Sequence, residues 1–382
     1  MSRSRVSTAA HMQRWLDMLN SQQPETFAQL GRGVVVGLSG GADSLSLVHA
    51  ATRAGLNVEA VVVDHQLQAG SRAVAERAAR QAEGLGASAR IVPIEVEAFG
   101  EGPARAARYR ALGVAANGRG VLIAHTATDD AEGFLLGLAR GSGTESLAGM
   151  RELTREHPAV EAGAGWVGRP LLHASREDTV ATCEYAVLDY WTDPHNSSPD
   201  YLRSRIRTEL LPHMREVLGG AVVDHLALSA RLLRDDATTL DSLAQSALQE
   251  VSEDADAEEL ASKINCLKVS AHQPAMRRRI YRSWLNEPAG ALTNVHIEAI
   301  DALVIAWRGQ GPVSVPWSAH WHTMNPARRA THRLVVRRQE KHLVLHALPR
   351  AVHPVPQEPQ RGSDSRNAHG ENPPRKEPRR PR

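Results

Sequence analysis

From residue 34 the chain alternates short, unbroken apolar runs with longer stretches whose apolar residues recur at helical spacing, and no other feature restricts its fold as strongly. The apolar runs are 34–38, 58–63, 89–94 and 121–124; the helical stretches between and after them are 44–53, 71–84, 104–117 and 130–140. A run without polar alternation suits a strand buried on both faces, and a parallel sheet covered by crossover helices provides that burial. The expected fold class is therefore α/β, a doubly wound parallel sheet.

Such sheets bind ligands beyond the carboxyl ends of their strands, so the residues there matter most. The first strand leads into Ser39-Gly40-Gly41-Ala42-Asp43-Ser44 and then directly into a helix. Backbone N–H groups, two hydroxyls and the positive end of a helix dipole converge at that turn, which suits pyrophosphate. No lysine is present, so this is not the Gly-Lys-Ser/Thr loop of common ATPases. Asp43 fits beside phosphate if a divalent cation such as Mg²⁺ lies between them. The same six residues would also serve as a plain strand-to-helix turn capped by Asp43 or Ser44.

Asp64 and His65 follow the second strand, and His125 follows the fourth. Downstream of His125, Asp129 and Glu132 share one helix face, a set suited to holding a metal or orienting a nucleophile. Asp130 reads as a first-turn acid favoured by the helix dipole. Arg105 and Arg108 lie on one helix face, and Arg203, Arg205 and Arg207 close a polar, proline-containing stretch, 193–207. Both arginine groups suit phosphate contacts, although taken alone each is more often a solvated face or a charged helix start.

The length of 382 residues accommodates two domains and a tail. The expected divisions are 1–217 for the nucleotide-binding domain, 218–347 for a mainly helical domain and 348–382 for a disordered tail rich in Pro and Arg. Helices are expected over 222–249, 275–285 and 294–307, and a hairpin from 333–336 and 342–345 around 337–341. No apolar run is long enough to span a membrane and no signal-peptide core is present, so a cytoplasmic protein without membrane contact is expected. Cys183 and Cys266 form no C-x-x-C pair and read as small core residues.

Taken in order, these motifs resemble the tRNA(Ile)-lysidine synthetase family of the PP-loop ATP pyrophosphatases, over about residues 33 to 217. The landmarks are Ser39–Ser44, Val63-Asp64-His65, Arg105-x-x-Arg108-Tyr109, the His125 to Glu132 stretch running into Leu138-Ala139-Arg140-Gly141, Leu147-Ala148-Gly149-Met150, Arg169-Pro170-Leu171-Leu172 and the 193–207 segment. The resemblance implies ATP and Mg²⁺ as cofactors, and CAU-anticodon tRNA(Ile) and L-lysine as partners. A homodimer is among its expectations. The implied reaction adenylates C2 of the wobble cytidine and then replaces AMP by lysine.

On this resemblance Ser39, Gly40, Gly41, Ala42, Asp43, Ser44, Asp64 and His65 bind ATP, and Asp43 and Asp129 hold the metal. Asp43, His125, Asp129 and Glu132 carry catalysis. Arg105, Arg108, Arg140, Arg203, Arg205 and Arg207 meet nucleotide or tRNA phosphates. The chain departs from the family pattern at Thr128, which stands at an aspartate position, at Asp130, which stands at a glutamine position, and at Gly133, His195, Ser198 and Ser204. The alternatives are a PP-loop paralogue that binds tRNA or ATP with weakened catalysis, or another PP-loop tRNA-modifying enzyme.

Overall fold

A computed structural model describes residues 7–66, 70–94, 101–141, 143–192, 202–255, 260–318 and 330–350. The chain divides into two compact units, Met1–Leu243 and Ala244–Arg382.

The first unit opens with helices α1 (Thr8–Gln22) and α2 (Pro24–Gln29). The expected alternation follows as β1 (Val34–Gly37), α3 (Ala42–Arg53), β2 (Val58–Asp64), α4 (Ser71–Gly84), β3 (Ser88–Pro93), α5 (Glu101–Ala116), β4 (Gly120–Leu122) and α6 (Ala127–Ala139). Beyond it come α7 (Thr144–Leu147), β5 (Leu153–Thr154), α8 (Pro158–Glu161), β6 (Trp166–Gly168), α9 (Arg176–Tyr185), α10 (Leu202–Arg205) and α11 (Leu211–Leu218). A π-helical turn, Ile206–Leu210, joins α10 to α11. The long helix α12 (Val222–Val251) crosses the division between the units.

The sheet order is β3-β2-β1-β4-β6-β5, with only the β5–β6 pair antiparallel. Val34, Val35 and Val36 are all fully buried, as a strand covered on both faces requires. α1 contributes Met12, Trp15 and Leu19, one apolar stripe at helical spacing, to the same core as Val34 and Val36.

Strands run outward from β1 through β2 and β3 on one side and from β4 on the other, so the topological switch point lies between β1 and β4. Val36 pairs with Leu122, and Ser39 and His125 each lie three residues further on. The fold therefore brings the glycine turn and His125 to one strand-end crevice, where such sheets bind ligands.

The second unit holds β7 (Ser252–Glu253), β8 (Lys263–Asn265), α13 (Cys266–Ser270), α14 (Pro274–Leu285), α15 (Asn294–Ile305), β9 (Val313–Val315), β10 (His332–Gln339) and β11 (His342–Pro349). The helices occupy the expected places, and the mainly helical reading needs one amendment. A five-stranded sheet, β7-β8-β11-β10-β9, packs with them around Ile264, Ile280, Ile300, Leu334 and Leu345. β7, β8 and β9 span two or three residues each, too few for an alternating pattern to register in sequence.

The expected hairpin forms, with Gln339 paired to His342 across a two-residue turn. β11 continues to Pro349, two residues into the stretch expected as tail. The expectations for 351–382, and for His195 and Ser198 within 193–201, fall outside the described residues. Cys183 and Cys266 are buried and free, as expected. Among the described residues no helix is long and apolar enough to cross a membrane.

Candidate active site

The turn after β1 is held by its own residues. Gly40 adopts φ +82°, a left-handed conformation that glycine reaches without the penalty a side chain imposes. Ser39 N–H donates to Ser44 Oγ at 3.1 Å, and Ser44 Oγ–H donates to the Gly41 carbonyl at 3.0 Å. Gly41 is the N-cap of α3 and among the described residues no side chain caps that helix, an arrangement in which first-turn N–H groups can meet an anion.

Asp43, in the first turn of α3, accepts from Thr179 Oγ1 at 2.6 Å and from Arg176 at 2.9 Å. Burial raises its pKa above the usual carboxylate value, Thr179 and Arg176 act against that rise, and the negative charge of Asp129 adds to it. Asp43 and Asp129, 86 positions apart in sequence, are thus brought within electrostatic reach of each other by the fold.

Across the switch point, α6 begins with Thr126 as N-cap and Asp129 closing a capping box. Asp129 Oδ2 accepts from Thr126 N–H at 2.9 Å, while Oδ1 accepts from Arg207 at 3.2 Å. Burial opposes the charge on Asp129, and Arg207 together with the Thr126 donors holds its pKa below the ordinary value. One turn on, Glu132 is 1% exposed and accepts from Arg207 Nε at 2.6 Å. Burial raises the Glu132 pKa, and Arg207 opposes that rise.

His125 sits among cationic groups. Arg169 Nε–H donates to its Nδ1 at 3.1 Å, and Arg105 Nη2 and the Tyr109 hydroxyl lie 3.1 and 3.4 Å from Nε2. Burial, reinforced by Arg169, Arg105 and Arg108 and opposed by Asp129, pushes its pKa down to about 3. The imidazole is therefore neutral near pH 7 and a weak proton acceptor, positioned by hydrogen bonds from its neighbours.

At the end of β2, Asp64 is buried and accepts from Gln66 N–H at 3.0 Å. His65 Nδ1 is buried and has no hydrogen-bond partner among the described residues. Burial and Arg108 lower its pKa.

The six candidate arginines separate into distinct environments. Arg105 and Arg108 flank the Tyr109 ring at 5.5 and 5.8 Å from its centroid. Arg207 is the counter-ion of Asp129 and Glu132. Arg205 pairs with Glu209 on an exposed surface, Arg140 is exposed at the end of α6, and Arg203 is half-buried close enough to Glu132 to stabilise its charge. Asp130 is turned away from this cluster and accepts from Met150 N–H at 2.7 Å and Arg234 at 2.8 Å, so it does not replace the carboxylate absent at Thr128.

Arg176, Thr179 and Arg234 complete these contacts without belonging to a local motif that marks them as site residues, and Arg169, which opens the Arg169-Pro170-Leu171-Leu172 landmark, has no role assigned by the resemblance. Asp43 and Asp129 present hard carboxylate oxygens on the two sides of the β1–β4 crevice, donors of the kind that suit a Mg²⁺ ion shared with phosphates and held by one or two protein carboxylates. Among the described residues no group of three or more His, Cys, Asp or Glu side chains is arranged to hold a metal by itself.

Comparison with known proteins matches residues 10–214 to a PP-loop domain and 266–335 to a TilS substrate binding domain. A tRNA(Ile)-lysidine synthase of Nocardia farcinica is 46% identical over 312 residues, covering 81% of this chain and 92% of the relative. The synthase of Streptomyces coelicolor is 41% identical, with 80% and 85% covered. That of Mycobacterium leprae is 40% identical, with 76% and 86% covered. The matches span both units and include the crevice at the β1–β4 switch point: the chain belongs to the tRNA(Ile)-lysidine synthase family.

Proposed function

We propose that this chain ligates L-lysine to C2 of the wobble cytidine of CAU-anticodon tRNA(Ile), consuming ATP and releasing pyrophosphate and AMP. The observation that carries this reading is the meeting of a phosphate-binding turn and a carboxylate cluster at one switch point. A cytoplasmic location follows from the substrate.

In the first step the cytidine C2 oxygen attacks the α-phosphorus of ATP and the bond to the β-phosphate breaks. Ser39, Gly40, Gly41, Ala42 and Ser44 bind the departing pyrophosphate, with Asp64 and His65 at the neighbouring strand end serving the nucleotide. Asp43 and Asp129 would hold Mg²⁺, which when bound neutralises phosphate charge.

In the second step a neutral lysine amine attacks C2, the C2–O bond breaks and AMP leaves. The amine must shed a proton. Glu132, its pKa raised by burial, is better matched to accept that proton than His125, whose imidazole orients the reacting groups through hydrogen bonds. Arg105 and Arg108 beside His125 supply positive charge to nucleotide phosphate, and Arg140, Arg203 and Arg205 to tRNA phosphates. Arg207 balances the carboxylates before lysine enters.

Mass spectrometry of CAU-anticodon tRNA(Ile) incubated with protein, ATP and lysine is expected to show cytidine converted to lysidine. Unmodified tRNA under those conditions would overturn the reading. tRNA-dependent ATP–pyrophosphate exchange without lysidine would restrict it to the first step.

A further inference from the structure

Asp130 and Arg234 form an ion pair in which their side chains are 2% and 11% exposed. Such a pair is a costly way to gain stability alone, because both charges must leave water. Arg234 lies on α12, in the stretch between the two matched domains, and nothing in the reaction outlined above uses it.

Its contacts lead into the crevice. Arg234 Nε donates to the Ala148 carbonyl at 2.9 Å while Nη2 donates to Asp130. The other Asp130 oxygen accepts from Met150 N–H, and Gly149, at φ +63°, leaves no room for a Cβ beside the Asp130 carboxylate. One residue further, the Arg151 carbonyl accepts from Arg169 Nη1 at 2.7 Å, and Arg169 Nε donates to His125. Asp130 also lies between Asp129 and Glu132 on α6, so the pair tethers the helix that carries both carboxylates.

We propose that Arg234 is a positioning residue for lysidine formation: through Asp130 and the 148–151 turn it fixes Arg169, and with it His125, at the strand-end crevice. This rests on the crevice being the site of that reaction. The guanidinium fork matters as much as its charge, because one arm holds the turn and the other holds α6.

The test is a steady-state comparison of wild type, Arg234→Gln, Arg234→Lys, Arg169→Lys and the double variant Arg234→Gln/Arg169→Lys, with melting temperature recorded for each. Arg234→Gln is expected to lower kcat about tenfold while KM for ATP changes less than about twofold, the pattern of lost transition-state positioning. In the Arg169→Lys background the same change should cost less than about twofold, because residues acting through one network are not additive.

Independent, multiplicative losses would overturn the proposal. So would full kcat in folded Arg234→Lys, which keeps the charge and loses the fork and so remains informative if Arg234→Gln fails to fold. Wild type that makes no lysidine would instead remove the functional reading itself, and the two failures are thus distinct.

Discussion

The two sides of the β1–β4 crevice are built differently. On the β1 side the turn from Ser39 to Ser44 closes on itself, with serine hydroxyls bonded to backbone groups within the same six residues. On the β4 side Asp129, Asp130 and Glu132 are balanced by Arg207 and Arg234, more than seventy positions away in sequence. The first side is a local motif that binding can exploit without rearranging distant parts of the chain. The second is an electrostatic balance among remote segments, and a change in any one of them alters the charges of the others.

The largest effect should come from Asp43→Ala, because Asp43 stands at the meeting of the two sides. Its pair with Arg176 is partly exposed, so the fold should survive. ATP–pyrophosphate exchange is expected to fall at least ~100-fold, the scale on which preorganised electrostatic groups act. Filter binding of tRNA should change little, and a matching fall in tRNA affinity would break the separation of roles.

Arg207→Ala tests the β4 side. It leaves the buried Glu132 without its hydrogen-bonded counter-ion and with only the weaker charge of Arg203, and the expected destabilisation is about 1–3 kcal/mol, below the range for a fully buried pair because Arg207 is 39% exposed and screened by solvent. The folded pKa of Glu132 already lies above its ordinary value. Its stabilising contribution is therefore complete below the ordinary glutamate range and is lost as pH rises through the folded pKa. Removing Arg207 raises that pKa further, so the gap between wild type and variant should widen as pH rises from the wild-type folded pKa of Glu132 to the higher folded pKa of the variant. Denaturant titrations that find a constant gap would contradict the electrostatic account.

Arg205→Ala should do least. Its pair with Glu209 is more than half exposed on both sides, and stability is expected to move by no more than ~0.5 kcal/mol. If Arg205 meets a tRNA phosphate, the slope of log affinity against log salt should fall by about one. An unchanged slope would remove it from the interface.

Much of the first unit was legible in sequence because its signals are local. Runs such as Val34–Gly37 are apolar on both faces and lie between helical stretches, so strand type, direction and crevice followed together. The partners of the site residues were not legible. Asp129 read as a functional acid and is also a capping-box residue, while Arg207 read as a phosphate contact and is its counter-ion. Asp130 read as a dipole-favoured acid, stands in the first turn of α6 as that reading requires, and also anchors the 148–151 segment to α12. In the second unit, strands of two or three residues were too short to show a period.

By itself the amino-acid sequence determined the parallel sheet, the glycine turn and the strand ends at which His125 and the carboxylates stand, because periodicity and turn chemistry act between near neighbours. Tertiary structure alone decided which arginine meets which carboxylate and that His125 is held neutral. Burial and charge–charge interaction depend on distance in space, and residues 43 and 176, 130 and 234, or 132 and 207 become neighbours only once the helices that carry them have packed together.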